Sequence, residues 1–323
     1  MTMGDGDGGG GDAGDGDDGS DVGGDGGGDG GDGDGHADGP QGDPVISVVV
    51  PVRNAAPWLA TQLQALGDQQ VPGHFEVVVV DNGSTDGSEA EGRAWAERHP
   101  SGRWMEASTV TGPGAARNAG VAAARGDLVA FCDADDVVRP GWLAACAAAL
   151  DTDDVVAGVF DFWSLNGHRP SALRPAATGQ LGFLPAGLGA NLAVRRQPFE
   201  AVGGFAEDLM IGEDIDLCWR LQLAGYRFAV APDAVVSKRD HPGFARSFRH
   251  GTAYGLSAPS LYRRHRDDGA RPDVRGAARS WAWLAVHAPA LAVHAADRDQ
   301  WAHAAGMRLG RIRGSVRERV VFP

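Results

Sequence analysis

Four times in the first half of the chain, a short apolar run gives way to a segment with apolar residues every three or four positions. VISVVVPV (45–52) is nearly all β-branched, which predicts a strand covered on both faces. AAPWLATQLQALGDQ then places Trp58, Leu59, Leu63 and Leu66 at helical spacing. FEVVVVDNGSTDGS is a second buried strand that ends at Asn82-Gly83. Ser84, Thr85 and Asp86 offer N-caps to a helix running to about Arg98. GRWMEAS is a short third strand. GPGAARNAGVAAARG is an alanine-rich helix with Pro113 near its start and Gly126 at its stop. DLVAFCD is the fourth strand, and PGWLAACAAAL the helix after it.

This alternation predicts an α/β fold with a mostly parallel central sheet flanked by helices. In such sheets ligands bind beyond the carboxyl ends of the strands. Arg53, Asp81 and Asp133 follow three different strands at that edge. The second half is less regular. DDVVAGVFDFW is a fifth strand, and a polar, proline-containing stretch runs to about Leu184. GLGANLAVRR is a strand entering a helix. GEDIDLCWRLQLAG is a helix with Leu217, Leu221 and Leu223 inward and Gly225 as its stop, and YRFAVAP is a closing strand. Arginine-rich helices are expected beyond about Ser237.

Charge changes this picture at both ends. Residues 1–44 hold 20 Gly and 13 Asp with no Lys or Arg, a composition too polar to bury a core, so a disordered tail is expected. The tail carries −13 of the total −14; residues 45–236 then carry −10 and residues 237–323 carry +9. A basic end suits phosphate groups or an anionic membrane surface. Cys132, Cys146 and Cys218 form neither a metal pattern nor a disulfide framework, which fits a reducing compartment. No signal peptide is recognised, and the most apolar window (281–296) is shorter than a spanning helix requires. A cytoplasmic protein, peripheral at most on the inner face of a membrane, is the expectation.

Three stretches carry candidate chemistry. In FCDADD, three carboxylates within four positions repel one another unless solvated, capped or bound to a cation. A loop capping the next helix and a divalent-metal site both satisfy that requirement. In GPGAARNAG the glycines and the free N–H groups of a helix start suit a phosphate, with Arg117 and Asn118 within the first turn. Glu213 and Asp214 open a helix, where acids either complement the dipole or act as a proton acceptor.

VVVPVRN, VVVVDNGSTDGS, GAARNAG, FCDADD and GEDIDLCWRLQLAGYR occur in one order over roughly residues 45–255. Together they resemble the family 2 glycosyltransferases, inverting enzymes with the GT-A nucleotide-diphospho-sugar fold. The resemblance implies a GT-A domain over 45–255, with a nucleotide half (45–150) and an acceptor half (151–255), before a helical extension (256–323). It implies Mn²⁺ or Mg²⁺ held by Asp133, Asp135 and His241, with Asp136 able to support or replace Asp135. It implies donor contacts from Pro51, Arg53, Asp81, Arg117 and Asp133, with Asp81 reading a pyrimidine base. Asp214 becomes the catalytic base, with Glu213 and Trp219 on the acceptor, while Asp216 caps the helix.

Relatives often place a histidine where this chain has Lys238, which shifts the expected third ligand to His241; Arg249 is expected to neutralise the diphosphate. The donor would be a UDP-, dTDP- or GDP-sugar and the acceptor a glycan or lipid-linked saccharide, as in cell-wall or polysaccharide assembly. Nucleic acid is not expected as a partner. Arg263, Arg264, Arg266, Arg308, Arg311 and Arg313, near Trp281, Trp283 and Trp301, would form a membrane-facing surface. Two other readings share the fold. A non-catalytic sugar-nucleotide or glycan-binding protein would lack a base. A nucleotidyl transferase would show a Gly-rich basic loop near the first strand, which VPVRNAAPW lacks.

Overall fold

The computed structural model describes residues 45–107, 112–167, 173–178, 180–288 and 295–323. The expected Gly/Asp tail and residues 289–294 of the apolar window lie outside these. Strands β1 (Ile46–Val52), β2 (Phe75–Asp81), β3 (Gly102–Glu106) and β4 (Leu128–Cys132) alternate with helices α1 (Ala56–Gly67), α2 (Ser88–Arg98) and α3 (Pro113–Ala123). Next come β5 (Val137–Val138), α4 (Trp142–Leu150), β6 (Val155–Asp161) and the short strands β7 (Arg174–Pro175), β8 (Ala177–Thr178) and β9 (Ala186–Gly187). β10 (Asn191–Arg195), α5 (Arg196–Ala201), α6 (Glu213–Leu223) and β11 (Phe228–Ser237) complete the α/β part. Helices α7 (Phe244–His265), α8 (Val274–His287) and α9 (Ala295–Glu318) follow. The expected division between residues 255 and 256 falls inside α7, one continuous 22-residue helix.

The sheet order is β3-β2-β1-β4-β10-β6-β11-β5, with β7 on β6. The first four strands are parallel, as the alternation predicts. β10 then runs antiparallel to both β4 and β6. That insertion pairs Asn191 with Cys132, one residue before Asp133, and so draws the loop before β10 to the acidic motif. The Asn191 amide donates to the Val159 and Ala234 carbonyls and accepts from the Trp142 indole, tying β6, β11 and α4 together. Gly158 makes room for it: a Cβ there would lie 2.2 Å from the Ala234 oxygen.

Side chains alternate across the sheet into two cores. Val48, Val50 and Val52 pack with Leu59, Leu63 and Leu66 of α1 and Trp142 of α4. Val49, Val78 and Val80 pack on the other face with α3, α6 and α7, through Ala116, Val121, Leu217 and Leu261. Burial on both faces is why β1 and β2 read as unbroken apolar runs. On α6, Leu217 and Leu221 are fully buried, whereas Leu223 is 47% exposed, because the helix ends there.

Helices α7 and α9 pack backbone against backbone. A Cβ at Gly251 would lie 2.1 Å from the His303 oxygen, and one at Gly310 would lie 2.2 Å from the Thr252 oxygen. Gly255, Gly306 and Gly314 meet the facing helix in the same way. Glycines spaced four apart on both helices form a continuous small-residue stripe that permits this approach. Among the described residues, no helix is long and apolar enough to cross a membrane.

Candidate active site

The carboxyl edge of the parallel strands is stitched together before any functional group is added. Asn54, in a left-handed conformation after β1, donates its backbone N–H to Ser84 Oγ at 3.1 Å and accepts from the Thr85 N–H at 2.8 Å. Asp86 and Ser88 accept from the N–H groups of Ala56 and Ala55. The polar loop after β2 is therefore committed to the loop after β1. The N-cap of α2 is Gly87 rather than Ser84, Thr85 or Asp86, but the Asp86 carboxylate still accepts the N–H of Ser88, the first helical residue, at 3.0 Å. Asp81 takes part in its turn: its carboxylate accepts the Ser84 N–H at 3.2 Å and is almost fully buried.

Asp133, Asp135 and Asp136 leave β4 in a tight turn, and cations from distant parts of the chain surround them. Arg117 donates to Asp133 Oδ1 at 3.0 Å and to Glu213 Oε1 at 2.8 Å, joining the start of α3 to β4 and α6. Lys238, just past β11, donates to Asp133 Oδ2 at 3.1 Å and to Asp136 Oδ2 at 2.7 Å. His241 Nε2 lies 2.6 Å from Asp135 Oδ2, with its ring edge-on to Trp58. Burial alone would raise the Asp133 carboxyl, but the charges of Lys238 and Arg117 overcome this and hold it below its ordinary value.

The start of α6 is acidic and enclosed. Glu213 is raised to about 7 by burial and by the neighbouring Asp214, against the pull of Arg117. Asp214 is likewise raised by burial, and Asp133 adds to this; the Gly189 N–H opposes it with a bond to Oδ2 at 2.8 Å. Gly189 is a residue the sequence reading missed. It lies in the loop drawn in by antiparallel β10, and a Cβ on it would sit 2.8 Å from the Arg117 guanidinium carbon.

Asp216 is no cap. It is fully buried and bound to His265 at 2.9 Å and Arg220 at 2.7 Å, anchoring the end of α7 to α6. Trp219, expected near the acceptor, is fully buried. Its indole donates to the Leu184 carbonyl and its ring packs edge-on against Phe183 and His265.

A cleft of about 370 Å³ opens over this cluster, lined among others by Pro51, Arg53, Trp58, Arg117, Asp133 and Asp135. Pro51, Arg53, Arg117 and Asp133 thus come together as expected, while Asp81 lies beneath the lining at the level of Val52. The arginine that α7 brings to the cleft is Arg246 rather than Arg249, one helical turn away. Met210 borders both this cleft and a second groove of about 630 Å³ between the 208–211 loop and α7.

The donor set suits a hard divalent cation. Asp133, Asp135 and Asp136 each offer an oxygen, all within 4.8 Å of one another. They are not equivalent. Asp136 is fully buried and both its oxygens are engaged, by Lys238 and by the Arg239 N–H at 2.9 Å. Asp133 and Asp135 line the cleft, and Asp135 faces His241.

The basic end does not form the expected uniform face. Arg308 is buried, Arg263 is paired with Glu318, and Arg264 with Asp208. Trp301 donates its indole N–H to the Leu284 carbonyl, and Trp281 remains half exposed.

Comparison with known proteins agrees with this geometry. The family model described as glycosyl transferase family 2 matches residues 47–191, and that of glycosyl transferase family group 2 matches residues 128–294. A pre-mycofactocin glycosyltransferase from Mycobacterium tuberculosis is 33% identical over 264 residues, covering 74% of this chain and 52% of the relative. Glycosyltransferase AglE from Haloferax volcanii is 30% identical over 200 residues, covering 59% and 66%. The chain therefore spans about half to two thirds of the length of these relatives.

Among solved structures, a mannosyltransferase from Pyrobaculum calidifontis in complex with GDP-Man and Mn²⁺ aligns with a TM-score of 0.63 at 24% identity, covering 85% of this chain and 88% of that one. S. aureus TarS 1–349 in complex with UDP-GlcNAc aligns at 0.51 with 20% identity, covering 86% and 93%. These likenesses establish the GT-A fold. With the family models spanning the acidic turn, β10 and α6, the chain belongs to the family 2 glycosyltransferases.

Proposed function

We propose that the protein transfers a sugar from a nucleotide-diphospho-sugar to a hydroxyl of a glycan or lipid-linked acceptor by a single, inverting displacement. The observation that carries this reading is the Arg117 fork. It joins Asp133, at the donor cleft, to Glu213, and so sets Asp214 beside the acidic turn. In this reading Pro51 and Arg53 receive the nucleotide, Asp81 holds the loop beneath them, and Asp133, Asp135 and His241 would hold a divalent cation. A cation bound there supplies Lewis-acid stabilisation to the departing diphosphate.

Asp214 accepts the proton of the attacking acceptor hydroxyl. Its raised affinity for protons makes it a stronger base than a solvated aspartate. The Gly189 N–H fixes the carboxylate's orientation, and Glu213 positions it from the side of Arg117. Arg246 adds positive charge at the cleft wall. We assign the acceptor to the groove that shares Met210 with the donor cleft, where Ser257, Ser260 and Arg263 line its wall. The bound Mn²⁺ and sugar nucleotides of the aligned structures support the class of donor. The donor base (uracil, thymine or guanine), the sugar and a peripheral membrane contact through Trp281 and Arg313 are parts of the same proposal.

The test is Asp214→Asn. It is expected to keep nucleoside-diphosphate affinity, measured calorimetrically, and to lose sugar transfer by at least about a hundredfold. Asp135→Ala should remove the response of transfer to Mn²⁺. Full turnover by Asp214→Asn would remove the base assignment. Tight nucleotide-sugar binding without transfer by the unaltered chain, across a panel of acceptors, would favour a binding protein.

A further inference from the structure

The segment after β11 wraps the acidic turn more closely than a loop passing by would. Lys238 is pinned by its own backbone: its N–H donates to the Asp161 carbonyl at 2.8 Å, and its carbonyl accepts from Asn166 at 2.9 Å. Its side chain is only 27% exposed, and Nζ stands 5.8 Å from the centre of the Phe160 ring. From that position the ammonium touches Asp133 and Asp136 together. The following residue repeats the grip, with the Arg239 N–H on Asp136 and its Nε on the Asp135 carbonyl. Two acids of the turn therefore already have a cation, fixed by the fold.

We propose that Lys238 is a tethered cation that permanently takes one of the positions the acidic turn offers to positive charge. Asp136 serves Lys238, while Asp135 with His241, and Asp133 at the cleft wall where its oxygens already accept from Arg117 and Lys238, remain for a divalent ion. Two consequences follow from charge alone. A neighbouring ammonium repels a divalent ion and occupies one oxygen of Asp133, so the ion is held more loosely than three free carboxylates would hold it. The same ammonium leaves a diphosphate some positive charge even when no free divalent ion is available. Lys238 acts here as a positioning residue that sets how far donor binding depends on metal. This inference rests on the reading of the cleft as the donor site.

The test compares the full-length chain with Lys238→Met, Lys238→Arg and the double variant Lys238→Met/Asp136→Asn. Mn²⁺ is first titrated alone, followed by electron paramagnetic resonance. UDP and GDP are then titrated calorimetrically in EDTA and in saturating Mn²⁺. Lys238→Met is expected to bind Mn²⁺ about tenfold more tightly or better. It should also lose about tenfold in nucleoside-diphosphate affinity in EDTA, a gap that Mn²⁺ narrows. Lys238→Arg should keep both properties near those of the unaltered chain.

The double variant removes a buried charge pair whole, so it does not leave an unpaired charge to unfold the protein. It should retain Mn²⁺ binding within about threefold, because on this proposal Asp136 is not a ligand. Mn²⁺ affinity of Lys238→Met equal to or weaker than that of the unaltered chain would overturn the proposal, as would loss of Mn²⁺ binding by the double variant. If the unaltered chain binds neither UDP nor GDP with Mn²⁺ present, the donor-site reading falls instead. The Mn²⁺ titration alone still decides the role of Lys238.

Discussion

Replacing Arg117 by Met tests the joint between the two halves of the site. The guanidinium is 5% exposed and holds Glu213, also 5% exposed, and Asp133. Methionine fills much of the same volume and leaves Glu213 without its counter-charge. Removing one partner of a buried ion pair costs about 3–5 kcal/mol. For a domain of this size that is a fall in Tm of roughly 6–20 °C. The loss must also depend on pH. Arg117 opposes the rise of the Glu213 carboxyl, which stands at about 7 even so. Without Arg117 it rises further, and the folded variant holds a proton that the unfolded chain, with an ordinary value of 4.5, has released. A state that binds more protons gains stability as pH falls, so the deficit should be largest near pH 8.5 and shrink towards pH 6. Urea unfolding at three pH values measures this directly. A deficit below about 1 kcal/mol, or one that is the same at every pH, would refute the assignment of Arg117 as the buried counter-charge.

The same linkage makes Glu213→Gln stabilising: the raised carboxyl costs stability as pH climbs from 4.5 towards about 7, so the variant should gain Tm over wild type at pH 8 and not at pH 5. Gly310→Ala should weaken the α7–α9 pair by several kcal/mol, about 3 or more, because its Cβ would meet the Thr252 carbonyl at 2.2 Å; circular dichroism melts check this, and a melt within 2 °C of wild type, on the order of 1 kcal/mol, would contradict the packing. Flotation with anionic liposomes at low and high salt reads out membrane contact, with salt-sensitive binding that weakens in Trp281→Ser expected; no binding at low salt dismisses it.

Much of the architecture is written locally. β-branched runs followed by helical periodicity specify β1 to β4, because a strand buried on both faces must be apolar at every position. The order of the motifs also singles out candidate acids: Asp133 and Asp135 follow a strand end and Asp214 a helix start. The glycine stripes of α7 and α9, at four-residue spacing, are equally present in the sequence, but a stripe has meaning only once its partner helix is known.

What the sequence alone determined is the set of elements and the kind of chemistry at the strand ends, since propensity and burial pattern act over a few residues. Tertiary structure decided who faces whom. Arg117 meets Glu213 across 96 residues and Lys238 meets Asp133 across 105, and Gly189 reaches Asp214 only because β10 enters the sheet antiparallel. It also decided that Trp219 packs inside, that Asp216 is an anchor and that Asp136 belongs to a lysine. The physical reason is that a charge's role is set by what surrounds it in three dimensions. Identical aspartates in one four-residue stretch end up facing the cleft or buried as a counter-ion according to which distant side chain the fold delivers.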